Sequence, residues 1–321
     1  MAKDFNSLWQ KYGTFGILII VMFVFGIGQP GLFFSFDNIT QIILQSSVNI
    51  LIACGVFFAI LIAGIDLSVG SVIALTGMLT GKLLVSGMNP ILAILIGGIF
   101  AGAAIGALNG LLVNMTGLHP FIITLGTQAI FRGLTLIISD AKPVFGFSPA
   151  FTDTIAGRIP FFGLSIPVPA LIAIGVALIL AFITNNTKMG RNIYALGGNS
   201  QAAWFSGIDV KLHTLIVFVI SGVCAGIAGV VSIARVGAAE PGAGAGFETF
   251  AIAAAIIGGT SFFGGKGKIF GVVMGGLIIG VISNGLNLLT VPTYYQQIVM
   301  GTLIILAVTV DRLFATKKKG A

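Results

Sequence analysis

Few residues in this chain could do chemistry, and most stand alone within apolar sequence. The run from Gly259 to Gly267, GTSFFGGKG, resembles a phosphate-binding loop at first sight. Such a loop needs Gly, four residues, then Gly-Lys-Ser/Thr after a strand, because backbone amides and the lysine cradle the phosphates. Here Thr260 stands where the first glycine belongs, and Gly267 follows Lys266 where a hydroxyl belongs. The chain is therefore not expected to hydrolyse nucleotide. Asp66 lies between Gly64 and Gly70, which mark a break in helical sequence. A carboxylate there can accept from freed backbone N–H groups as a helix N-cap. A part in gating or solute passage is the alternative. One acid without an intramembrane partner network does not make a proton relay.

Arg132 sits about midway along another apolar run. A guanidinium there is expensive and must face a polar interior or a partner, so a structural contact and a pathway role both stay open. Amides recur at Gln45, Asn49, Asn109, Asn114, Asn284 and Asn287. Asn284 and Asn287 are three apart and share a helix face. Amides bond hydroxyls without charge, which suits a polyhydroxylated solute, and they also bond helix to helix. Asn49, Asp66, Ser68, Asn109, Arg132, Asn284 and Asn287 are thus the candidates for lining a passage. His119, before Pro120, and the isolated Cys54 and Cys224 read as structural, and no metal or cofactor is expected.

The elements that must position these residues follow from composition. Of 321 residues, 57% are hydrophobic and 8% charged, and the mean hydropathy is +1.11. Soluble domains carry about 25% charged residues. Apolar segments fall at 14–28, 39–63, 67–86, 91–113, 121–139, 164–184, 213–234, 249–263, 270–289 and 295–314. At about 20 residues per span, these predict an all-α polytopic transmembrane bundle of about ten spans, one domain over 1–321. The first is short and is expected to extend back toward Leu8. With no small-x-small cleavage site before Gln29, it reads as a retained span. The eighth is also short, either a full span or a broken, re-entrant piece.

Net charge is +7. No basic stripe interleaved with aromatics appears, so nucleic acid is not expected as a partner. The basic residues instead fix orientation in the lipid bilayer. Lys188, Arg191, Lys211, Lys266, Lys268 and Arg312 fall on one side with both basic ends of the chain, giving N-in, C-in topology. Asp37, Asp140, Asp153, Glu240 and Glu248 fall in outer connections. Gly98, Gly102, Gly106 and Gly110 leave one helix face bare, as do Gly222/Gly226, Gly271/Gly275 and Gly276/Gly280. Such faces let neighbouring backbones approach closely. They serve static packing or interfaces that slide.

The longest inner connection, 185–212, has small and aromatic residues where a plain loop would be polar. Gly190, Gly197 and Gly198 are expected to allow sharp turns. Asn199 is expected to cap a short helix through Ser206 that stops at Gly207. A helix-turn-helix of this kind suits docking of a soluble partner. Gly190-Arg-Asn-Ile-Tyr-Ala-Leu-Gly-Gly-Asn199 with Ser206-Gly-Ile208 resembles the cytoplasmic coupling segment of ribose/galactose-type ABC importer permeases. Ala63 to Gly70, Ala254 to Gly267 and Asn284 to Leu288 fit the same pattern, so the resemblance runs from about Asn38 to Arg312. Gly117 to Thr127, Phe131 to Asp140, Ala238 to Pro241 and Gly246 to Glu248 are similar to the D-allose permeases within that family.

The resemblance implies a non-catalytic permease subunit of the bacterial inner membrane, importing a monosaccharide such as D-allose or ribose. It implies a second copy of the chain, a separate ATP-binding subunit and a periplasmic sugar-binding protein. Carried over, Gly190, Arg191, Tyr194, Gly197, Gly198, Asn199 and Gly207 would couple to the ATPase. Asp140, Asp153, Glu240 and Glu248 would meet the binding protein. An ABC permease for a nucleoside or another small polar solute is the near alternative. A secondary carrier would show inverted repeats and paired in-span charges, and neither is evident.

Overall fold

A computed structural model describes residues 2–161 and 164–317. In chain order its helices are α1 (Ala2–Gly28), α2 (Pro30–Phe33), α3 (Phe36–Leu61), α4 (Val69–Val85), α5 (Pro90–Ala93), α6 (Ala101–Thr116) and α7 (Pro120–Ser139). There follow α8 (Pro149–Ala156), α9 (Val168–Asn186), α10 (Lys188–Gly198), α11 (Ser200–Phe205), α12 (Val210–Val236), α13 (Phe247–Ile257), α14 (Ile269–Leu288) and α15 (Thr293–Lys317). A π-helical stretch, Ile94–Phe100, joins α5 to α6. Short strands β1 (Val144–Phe145) and β4 (Ala238–Ala239) pair antiparallel, and β2 (Arg158–Phe161) pairs with β3 (Leu164–Pro167).

Among the described residues, six helices are long and apolar enough to cross a membrane, and Gly13–Gly28, Val69–Val85, Phe247–Ile257 and Thr293–Thr309 are shorter apolar helices. These coincide with the ten apolar segments, and α1 does reach back past Leu8. Helix ends follow local chemistry. Ser35 caps α3 through the Asn38 N–H, and Pro120 opens α7 behind His119. Gly117 (φ 66°) and Gly237 (φ 74°) close α6 and α12 in the left-handed region that favours glycine.

The bundle is built around α3, of which 83% of the apolar window is buried. The bare glycine faces pack as expected. A methyl on Gly102 would overlap the Gly222 carbonyl, and one on Gly106 the Phe218 carbonyl, so α6 lies backbone to backbone on α12. Gly271 and Gly275 meet α13 at Gly258 and Ala254, while Gly276 and Gly280 meet α3 at Ile50 and Ser46. Exposed leucines, isoleucines and phenylalanines cover the outer faces of α6, α7 and α9.

Two expectations need correction. Gly190, Gly197 and Gly198 lie inside helix α10 and not in turns. Gly190 and Gly197 are required by close approach, since a methyl on Gly190 would overlap the carbonyl of Ile183 and one on Gly197 that of Leu61, whereas one on Gly198 would meet nothing within 4 Å. Glu248 does not sit in an outer loop. It belongs to the first turn of α13 and meets the middle of α7.

Candidate functional site

Two breaks in the helical bundle gather polar and charged side chains from several helices. The first separates α3 from α4 over residues 62–68. Ala63 takes the left-handed region (φ 58°), which glycine would occupy without strain. Asp66, 2% exposed, stands at the centre. Its Oδ1 accepts from the Ser68 N–H (3.0 Å) and the Ser68 hydroxyl (2.6 Å), and its Oδ2 accepts from the Ser221 hydroxyl on α12 (2.7 Å). The Asn109 amide on α6 donates to Ser68 Oγ (2.8 Å). Asp66 thus accepts from freed backbone, but it is not the expected N-cap of α4: that position is Ser68, whose side chain makes no cap bond. Asp66 also ties the break to two further helices.

The second break lies between β4 and α13. Residues 240–249 form successive tight turns. Ala243, Ala245, Phe247 and Thr249 donate backbone N–H groups to the carbonyls of Glu240, Gly242, Gly244 and Gly246. The intervening carbonyls of Pro241 and Ala243 need another donor, because an unpaired buried carbonyl costs as much as a lost hydrogen bond. Arg132 supplies it. Its Nη1 donates to Pro241 O (2.5 Å) and Ala243 O (2.8 Å), and its Nη2 reaches Gly70 O at 3.4 Å. The helix that follows, α13, has 11 residues, or about 16 Å at 1.5 Å per residue. The eighth apolar segment is therefore a half-helix preceded by irregular backbone.

The breaks touch one another. A methyl on Gly70 would overlap the Gly244 carbonyl, and one on Gly244 the Gly70 carbonyl. One stripe of α7 fastens both. Thr124, Gln128 and Arg132 recur every four residues and so share a face. Thr124 Oγ1 donates to Ile65 O (2.9 Å) and accepts from the Leu67 N–H (3.1 Å) in the first break. The Gln128 amide donates to Glu248 Oε1 (3.2 Å), while Glu248 Oε2 is buried without a partner. Arg132 is about 18 Å along α7 from Pro120 at the helical rise per residue.

The segment 185–212 packs on the end of α3, beside the first break, and on the loop that follows α13. Thr187 caps α10 by accepting from the Gly190 N–H, and Asn199 caps α11 by accepting from the Ala202 N–H. Gly207 follows in the left-handed region (φ 82°). Gly197 packs on Leu61, the last residue of α3, whose carbonyl accepts from the Gly265 N–H (2.8 Å). The Tyr194 hydroxyl donates to Gly267 O (2.8 Å), and burial pushes the phenol pKa up. The glycine loop 258–268, which cannot bind phosphate as a P-loop does, therefore joins α10 to the end of α13.

The sequence-predicted residues are split by this arrangement. Arg191, Gly198, Asn199 and Gly207 are exposed, Gly190 is buried, and Tyr194 and Gly197 are half-buried against the bundle. Asp66, Ser68 and Asn109 form one cluster, and Arg132 forms another. Asn284 lies apart, donating to Asn38 Oδ1 (2.9 Å), and Asn287 is exposed and accepts from the Gln296 amide. Asn49 is buried on α3. The spacing of Thr124, Gln128 and Arg132 was a readable signal for the α7 stripe. Trp204 and Phe205, 63% and 80% exposed on α11, are further surface residues of the segment that sequence reasoning passed over.

Residues 38–308 match the family described as the branched-chain amino acid transport system / permease component. The chain is 63% identical over 312 residues to the D-allose transport system permease protein of Escherichia coli (strain K12), covering 97% of this chain and 94% of that one. It is 42% identical to the ribose import permease protein of Bacillus subtilis (strain 168), over 96% and 94% of the two chains. It is 37% identical to the galactose/methyl galactoside import permease protein of Salmonella typhimurium (strain LT2), over 97% of each. No solved structure matches. A bundle of apolar helices with paired breaks, matched over nearly its whole length, is thus a member of this family of transport-system permeases.

Proposed function

We propose that this chain is the membrane permease subunit of an ATP-driven importer for a monosaccharide, D-allose or ribose, in the bacterial inner membrane. The observation that carries this reading is the 63% identity, over 97% of the chain, to a D-allose permease. ATP hydrolysis belongs to a separate subunit, and delivery of the sugar to a periplasmic binding protein. Two copies of the chain form the pore, each with ten crossings and both termini inside, the eighth crossing being the break at 240–246 plus half-helix α13.

The exposed groups of 185–212, namely Arg191, Gly198, Asn199 and Gly207, are the direct ATPase contacts. Gly190, Tyr194 and Gly197 pass the motion inward. The supporting geometry is that α10 touches the end of α3 and the 258–268 loop together. A shift of α10 therefore reaches the first break directly and the second only through α13. Asp66, Ser68, Asn109 and Arg132 hold those breaks beside the path, while Asn49, Asn284 and Asn287 lie toward α3 and α14.

The test is reconstitution in liposomes against a panel of aldoses. The chain alone should move no sugar. Uptake should appear only with the ATPase, the binding protein and ATP, and D-allose or ribose should lead the panel. Transport by the isolated chain on a proton gradient would refute the reading.

A further inference from the structure

The polar groups at the second break exceed what is needed to hold it. Arg132 makes three hydrogen bonds, whereas a guanidinium has five donors. Glu248 Oε2 is buried and unpartnered although Oε1 is bonded. Oε2 packs into the place that a Cβ at residue 70 would need, 2.5 Å from it, so the unpaired acceptor is held against Gly70 only because that residue is a glycine. Gln128, Arg132 and Glu248 are all partly exposed. Leu125, 50% exposed, borders this stripe, whereas Ile130, 56% exposed, points to the opposite side of the helix. Ionisable groups at this depth face a protein partner or a water-filled cavity and not hydrocarbon. The α7 face that carries Gln128 and Arg132 is therefore not a lipid face.

We infer that Gln128, Arg132 and Glu248 form a transit site that hydrogen-bonds a neutral polyhydroxylated solute, an aldose, as it passes through the membrane. Sugar hydroxyls both donate and accept. Glu248 Oε2 offers an acceptor, Arg132 offers unused donors, and the Gln128 amide offers both. The two formal charges cancel, so the site suits an uncharged solute over an ion. The inference rests on the permease reading above and deepens it by naming the residues that meet the cargo.

The test uses the complete complex of permease, ATPase and binding protein, with D-allose and D-ribose as probes. Gln128→Cys is labelled with a charged, membrane-impermeant thiosulfonate, with Ile130→Cys as the lipid-facing comparison. The native Cys54 and Cys224 are buried and supply little background. The expected result is labelling of Gln128→Cys about tenfold faster than Ile130→Cys, slowed by saturating sugar. Glu248→Gln, which keeps shape, should lower sugar moved per ATP about tenfold, the size of one lost charge-assisted hydrogen bond. If wild-type complex moves neither sugar, the permease reading fails. If wild type transports, but Gln128→Cys labels no faster than Ile130→Cys and Glu248→Gln keeps its sugar-to-ATP ratio, the transit site is wrong and the permease reading stands.

Discussion

Replacing Arg132 separates charge from geometry at the second break. In the folded chain its Nη1 serves the Pro241 and Ala243 carbonyls at 2.5 and 2.8 Å. Arg132→Met leaves both without a charged donor, a loss of about 3–6 kcal/mol at 1.5–3 kcal/mol per bond. Removing a guanidinium from the middle of a membrane helix returns about 3 kcal/mol. The net destabilisation is about 1.5 kcal/mol, close to a tenfold change in the folded-to-unfolded ratio. Arg132→Lys keeps the charge, so nothing is returned. An ammonium is a point donor without the planar fork, reaches one carbonyl and forfeits the other, and loses about 2 kcal/mol. SDS titration in mixed micelles, followed by helical circular dichroism, reads both. The two variants should unfold at similarly lowered SDS. A lysine variant as stable as wild type, beside a weakened methionine variant, would show that charge alone suffices and refute the account of the break.

Three further outcomes follow from the packing. Gly106→Val drives a side chain into the Phe218 carbonyl and should cost about 1–3 kcal/mol by overpacking, whereas Gly126→Ala, which meets nothing within 4 Å, should be neutral or gain up to about 1 kcal/mol in the same titration. A Cβ on Gly198 also meets nothing within 4 Å, so Gly198→Val should leave membrane insertion intact and uncouple the ATPase, measured as ATP turnover without uptake. Gly197→Val should instead disrupt the junction with Leu61 and lower the yield of folded protein. Tyr194→Phe removes the bond to Gly267 and should cost about 1 kcal/mol. Because burial raises the phenol above its ordinary 10.0, the tyrosine's contribution should be whole below pH 10 and fade as pH rises through the raised value, whereas the phenylalanine variant should show no such decline.

The apolar segments were readable because burial in lipid demands a composition that nothing else in a protein needs. The glycine faces were readable for a similar reason. A bare position every fourth residue has one use in a membrane helix, and Gly222/Gly226 answer Gly102/Gly106 at matching spacing. Asp66 was found because its flanking glycines announce a break. The second break was hidden because its stabilisation is remote. A glycine-rich stretch followed by an acid reads as an outer loop, and only Arg132, more than a hundred residues earlier in the chain, supplies the donors that let such backbone lie among helices. Glu248 was misplaced with it. The same distance explains why Arg132 had no assignable partner in the sequence: its partners are main-chain carbonyls, which carry no residue signature. What the sequence did offer was periodicity. Thr124, Gln128 and Arg132 place three polar side chains on one face of an otherwise apolar helix. A stripe of that kind cannot face lipid, so the irregular backbone of the second break and the half-paired acid Glu248 belong against it.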